Sequence, residues 1–184
     1  MTSLVISFDV GLMNMAMCVA RVSHSLQTFD IIEWDLFDTC SNNIEECSAL
    51  LVKRLKDKFQ KTTDSKNTWV VIERQVPQNI KCMCLSHTLL SFFLTKYDEM
   101  HVSYVSAISK PLVSKGKKRK IESVEVLKEY LQDSSETNKA WFAWFELQNK
   151  KDDLADAFLQ IVGNSQYLVL YDEPKTIIEI LDDD

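Results

Sequence analysis

Two short apolar runs, each stopped by a carboxylate, constrain this chain most. Leu4-Val-Ile-Ser-Phe8 ends at Asp9 ahead of Gly11, and Trp69-Val-Val-Ile72 ends at Glu73. A continuous apolar run of this length bounded by a turn signal reads as a buried strand. Ala16–Val22 and Thr28–Trp34 read as two further strands, which with the first make an antiparallel meander. His101–Ala107 alternates as a strand should. Between them, Ile44, Cys47, Leu51, Leu55 and Phe59 recur at helical spacing behind an Asn42-Asn43 cap. Residues 79–100 form a long helix, almost wholly apolar through Leu89–Leu94. A basic loop then leads to helices over 121–131, 136–148 and 152–162. Three strands, helix, strand, helix, strand and then helices describe an α/β fold, a mixed five-stranded sheet flanked by helices.

Composition narrows the class. The chain has 184 residues, 46% of them hydrophobic, with only 3 Gly and 3 Pro, so one globular domain with a sizeable core is expected rather than a linker-rich chain. No window reaches the roughly 18 uncharged apolar residues of a membrane helix, and the first residues lack a basic signal-peptide n-region. An intracellular protein is expected. The cysteines agree: Cys18, Cys40, Cys47, Cys82 and Cys84 are odd in number and follow no disulfide or zinc spacing. Formal net charge is −6, which alone counts against nucleic acid. The distribution qualifies this, because Lys110, Lys115, Lys117, Lys118, Arg119 and Lys120 fall within eleven positions and the chain ends in Asp182-Asp183-Asp184. A basic cluster can grip a polyanion locally, since the Debye length is about 8 Å at physiological salt.

The acids carry the chemistry. If the first and fourth strands are neighbours, Asp9 and Glu73 meet on one rim, where α/β sheets favour their reaction sites. Asp152, Asp153 and Asp156 open the last helix, and either Asp152 or Asp153 shares a face with Asp156. Four converging carboxylates repel unless a cation sits among them. Hard oxygen donors without His or Cys at matching spacing favour Mg²⁺ or Mn²⁺ over zinc. Taken singly, Asp9 is also an ordinary turn residue, and Asp152-Asp153 are ordinary helix-start acids.

Ile6-Ser-Phe-Asp9-Val-Gly11, Val71-Ile-Glu73-Arg74-Gln75 and Asp152-Asp153-Leu-Ala-Asp156-Ala-Phe158 together resemble the motifs of RuvC-type Holliday junction resolvases, in particular those of poxviruses and related large DNA viruses. The resemblance covers about residues 4–162 and rests on three motifs in order. It implies an RNase H-like fold over a single nuclease domain, residues 1–184, with a short acidic tail from about 172. It also implies that Asp9, Glu73, Asp153 and Asp156 are catalytic metal ligands, Asp153 being preferred to Asp152 by its spacing. The family places a lysine ahead of the helix that follows the last strand, and Lys118 and Lys120 are the candidates here. Lys115, Lys117, Lys118, Arg119 and Lys120 are the expected DNA contacts. The Trp141–Phe145 segment has no assigned counterpart.

The implied activity is Mg²⁺-dependent hydrolysis of four-way DNA junctions during viral recombination or replication, with two ions per site and Mn²⁺ as a substitute. Host cytoplasm is the implied compartment. Paired cuts imply a two-fold homodimer, with the 79–100 helix as the expected interface and Phe92 and Phe93 as its probes. Three other readings stay open. They are a nuclease of the same fold acting on flaps or RNA–DNA hybrids, a non-catalytic nucleic-acid-binding scaffold, and an actin-like or sugar-kinase ATPase. The last shares the Asp-x-Gly turn but needs a second Gly-rich loop that 3 Gly hardly supply.

Overall fold

Five strands join in the order β3-β2-β1-β4-β5 in the computed structural model, which describes residues 2–23, 25, 27–38, 43–60, 67–97, 100–106, 110–111, 117–132 and 135–170. The strands are β1 (Thr2–Asp9), β2 (Met15–Ser23), β3 (Thr28–Phe37), β4 (Thr68–Glu73) and β5 (His101–Val105). The helices are α1 (Ile44–Lys58), α2 (Ile80–Lys96), α3 (Lys117–Gln132), α4 (Glu136–Glu146) and α5 (Lys151–Leu170). The expected meander is present, β1–β2 and β2–β3 being antiparallel. β4 pairs parallel to β1, and β5 parallel to β4. Parallel neighbours need crossover connections, and α1 and α2 supply them.

The sheet separates two cores because successive strand side chains point to opposite faces. Ile6 and Phe8 of β1 with Val70 and Ile72 of β4 meet α1 and α2 through Leu51, Leu55, Leu85, Leu89 and Phe93. Val5 and Val71 face the other way, toward Leu154, Phe158 and Ile161 of α5 and Leu127 and Leu131 of α3. Asp9 and Glu73 continue this second set at the carboxyl ends of their strands, so they emerge on the α5 side.

Several element boundaries differ from expectation. The basic stretch is not all loop: Lys117, Lys118, Arg119 and Lys120 form the first turn of α3. Lys and Arg are good helix formers, and although cations at a helix N-terminus oppose its dipole, an ion pair from Lys120 to Asp152 offsets this. Lys115 and the acidic tail lie outside the described residues. α5 continues past Gly163, which an otherwise apolar helix tolerates. Phe92 and Phe93 belong to the core of the monomer rather than its surface. The outer side of α2 instead exposes Ile80 and Leu94. Cys18, Cys47, Cys82 and Cys84 are in no disulfide among the described residues. No helix among the described residues is long and apolar enough to cross a membrane.

The Trp141–Phe145 segment lies on α4, which covers the edge strand β3. Trp34 stacks on Phe145 at 5.2 Å between ring centroids, and its indole N–H donates to the Leu154 carbonyl of α5. Asn138 closes the edge: its Oδ1 accepts from Ile31 N at 2.8 Å and its Nδ2 donates to Phe29 O at 2.6 Å. Unpaired edge groups invite pairing with other chains, and here one amide satisfies two of them beside a register shift in β3. Asn138→Ala orphans a buried N–H and a C=O. It is expected to lower unfolding free energy by about 1–3 kcal/mol in urea titrations, with Asn138→Asp, which keeps only the acceptor, also less stable than wild type.

Candidate active site

The register of β1 against β4 builds the site. Phe8 pairs with Ile72, so the next residues, Asp9 and Glu73, stand side by side at the rim. The chain then turns tightly beyond β1. A Cβ on Gly11 would meet the Asn14 carbonyl oxygen at 2.5 Å, a backbone approach that only glycine permits. α5 runs back across the same face and brings Asp156 to the pair. One carboxylate oxygen from each of Asp9, Glu73 and Asp156 lies within 4.8 Å of the other two.

A lysine occupies the centre of this group. Lys110 is only 3% exposed, and its Nζ lies 2.7 Å from Glu73, 3.0 Å from Asp156 and 3.9 Å from Asp9. β5 runs parallel to β4, so the residues just past β5 emerge at the rim that carries Glu73. Burial alone would push the Lys110 ammonium toward neutrality, but Asp9, Glu73 and Asp156 outweigh it and raise its pKa. Burial likewise opposes ionisation of Glu73, yet Lys110 and the Asp9 hydrogen bond hold it below the usual carboxylate range. Asp9 goes the other way. Burial raises its pKa well above the ordinary value, with Lys110 opposing and Glu73 and Asp156 adding to the rise. One ammonium thus faces three carboxylates, and Asp9 is the one pushed toward its neutral form.

The other expected residues fall around this centre. Asp153 stands outside the three-residue convergence, and its pKa is raised by burial and by its neighbour Asp152, with a further contribution from Asp156. Asp152 pairs with Lys120, which outweighs burial and lowers its pKa. Lys118 is exposed on α3. Arg119 is close enough to favour the ionised form of Glu73. The sequence pattern counts Lys110 within the basic stretch and does not single it out. Its signal is positional: it precedes Pro111 and follows β5 by five residues, nearer the strand end than any other lysine of the cluster.

The donor set fits a divalent cation. Three hard oxygen ligands converge where a positive charge is already stabilised, and no His or Cys belongs to the group.

Solved structures share this architecture. The fowlpox virus Holliday junction resolvase is 18% identical, the match covering 90% of this chain and 99% of that one, with a TM-score of 0.62. Thermus thermophilus RuvC is 13% identical over 91% of this chain and 96% of that one, with a TM-score of 0.60. T. thermophilus RuvC in complex with Holliday junction substrate is 11% identical over 91% and 96%, with a TM-score of 0.58. The fold is therefore that of the RuvC resolvases, as the sequence motifs implied. No curated protein sequence matches the chain. The family described as Poxvirus A22 protein matches residues 3–163, from β1 through the first thirteen residues of α5, and the chain belongs to that family.

Proposed function

We propose that this protein is a divalent-metal-dependent endonuclease that resolves four-way DNA junctions during viral DNA recombination and replication, acting as a single nuclease domain in the host cytoplasm. The convergence of Asp9, Glu73 and Asp156 on one rim carries this reading. Two observations support the substrate: the family match, and structures of the fowlpox resolvase and of T. thermophilus RuvC with Holliday junction DNA.

In this reading Asp9, Glu73 and Asp156 hold the metal, with Asp153 as the fourth ligand reached by a side-chain rotation. Mg²⁺ is the expected ion, two per site, with Mn²⁺ as a substitute. When bound, such ions make water nucleophilic near neutral pH and offset charge on the phosphate and on the leaving oxygen. Lys110 serves two purposes. Its ammonium keeps the carboxylates together before the metal arrives, and beside the reacting phosphate it offsets charge that grows in the transition state. Lys118 and Lys120, on the first turn of α3, are better placed to grip DNA backbone than to touch the reacting atoms. Arg119, half-buried on the same turn, adds to that basic surface, and Lys115 and Lys117 are the further expected DNA contacts. Lys120 also holds Asp152, which leaves Asp153 and Asp156 as the spaced pair toward the metal.

A panel of four-way, three-way, flap and RNA–DNA hybrid substrates with Mg²⁺ tests the function. Preferred cutting of the four-way junction is expected; preference for flaps or hybrids favours the related nuclease reading, and no cutting the scaffold reading. Asp9→Asn should reduce cleavage at least about a hundredfold, each tenfold being 1.36 kcal/mol of barrier. The same substitution should raise the melting temperature of the metal-free protein. Asp9 has a raised pKa when folded, so its contribution to stability is present at low pH and lost as pH rises through that value. The gain from Asn is therefore largest at neutral pH and fades in acid.

The lysines separate by readout. Lys110→Met should lose rate by about a hundredfold with junction affinity little changed. It should also melt earlier without metal, because three carboxylates lose their cation. Replacing Lys117 and Lys118 by Ala should instead weaken binding to every junction sequence. The slope of log affinity against log salt should flatten by about 0.7–0.9 for each phosphate that is no longer neutralised. A Lys110→Met protein with wild-type rate overturns its assignment.

Resolution takes two opposed cuts, so the active species is a homodimer. Light scattering should return about twice the 21.3 kDa chain mass. Leu94 and Ile80, on the outer side of α2, are the probes, 44% and 68% exposed. Leu94→Glu should weaken association without unfolding the monomer, since an unpaired charge buried at an interface is costly. A wild-type chain that remains monomeric at tens of micromolar contradicts the paired-cut scheme.

A further inference from the structure

Beneath the carboxylates lies a set of buried polar atoms that hydrophobic packing does not explain. The Gln160 side chain is fully buried, and neither its Oε1 nor its Nε2 has a hydrogen-bond partner among the described residues. The same holds for the Ser7 hydroxyl, also fully buried, and for Asp156 Oδ1. The other oxygen of Asp156, Oδ2, is taken by Lys110 at 3.0 Å.

Helix and strand geometry place these groups together. Gln160 follows Asp156 by four residues, so the two share a face of α5. Ser7 precedes Asp9 by two residues on β1, so those two point to the same side of the sheet. α5 begins at the site rim and runs back along β1. One helical step of four residues descends about 6 Å, and one strand step of two residues about 6.6 Å. Gln160 and Ser7 therefore lie at one level, one layer below Asp156 and Asp9. Buried polar groups in native proteins are nearly always satisfied by protein or by ordered water, and a buried water needs two to four polar partners. The Ser7 hydroxyl and the two Gln160 amide atoms at this level, with Asp156 Oδ1 above them, meet that requirement.

We propose that Gln160 is a positioning residue for the metal site. With Ser7 it holds a buried water against Asp156 Oδ1, and so fixes the carboxylate with Oδ2 toward the cation. The Ser7 hydroxyl and Gln160 Nε2 donate to the water, and the water donates to Asp156 Oδ1. Anchoring one oxygen removes the rotation that would turn the ligand away. This inference rests on the cation-site reading above.

The test uses the full chain and Mn²⁺ alone, followed by titration calorimetry, with melting curves of each metal-free protein. Gln160→Met keeps the volume and removes both amide atoms. It should remain folded and bind Mn²⁺ about tenfold more weakly, the loss typical when a group that orients a metal ligand is removed. Its kcat should fall with junction KM little changed. Ser7→Ala should shift Mn²⁺ affinity in the same direction, and the double variant should be no weaker than Gln160→Met, because both act through one water. A folded Gln160→Met protein with Mn²⁺ affinity within twofold of wild type overturns the proposal. If that variant does not fold, Ser7→Ala decides: weaker Mn²⁺ binding supports the proposal and unchanged binding overturns it. A wild-type chain that binds no Mn²⁺ overturns the cation-site reading itself, and this proposal with it.

Discussion

Parallel pairing of β1 with β4, in the register that joins Phe8 to Ile72, is the constraint on which the site depends. Asp9 and Glu73 are separated by 63 positions that include two strands, a helix and a loop, and nothing local brings them together. The pairing does so twice over. It sets them at the same height, and because side chains alternate along a strand it turns both toward α5. A one-residue slip would send one carboxylate to the face covered by α1 and α2, where it would be buried among Phe8, Phe93 and their neighbours without a partner. The apolar alternation of each strand thus protects the geometry of the acids beyond it.

Electrostatics then decides how the acids can coexist. Asp9, Glu73 and Asp156 cannot all be ionised at this spacing without a positive charge. Lys110 supplies one, buried to 3% exposure and within 4.0 Å of all three. A buried ammonium is itself costly and tolerable only when paired. Lysine and carboxylates therefore stabilise one another, while the ratio of one to three leaves the group short of positive charge. That shortfall fits a site made to take up further cations.

α5 must be held firmly for Asp156 to meet the strands. Phe158 and Leu154 pack against the sheet, and Trp34 ties β3 to the carbonyl of Leu154 on the same turn as the acids. The aromatic residues of α4 close over Trp34, and Asn138 fastens that helix to the backbone of β3. The edge strand farthest from β4 thereby takes part in fixing the helix that completes the site.

By itself the sequence determined the element types and the acids. Apolar runs ending at Asp9 and Glu73, helical periodicity in α1 and α2, and the acidic start of α5 are local patterns, legible because each arises from one element's own spacing. The family followed from three such patterns in order. Which charges meet was a different matter, because it depends on separations in space. Among the basic residues from Lys110 to Lys120, the resemblance pointed to Lys118 and Lys120; the parallel placement of β5 beside β4 put Lys110 at the carboxylates and left Lys118 facing solvent. Phe92 and Phe93 were expected to probe a dimer interface on an apolar helix, since periodicity cannot say which side of such a helix meets its own sheet. Ser7 and Gln160, ordinary residues in a strand and a helix, became a buried polar layer only when α5 was laid across β1.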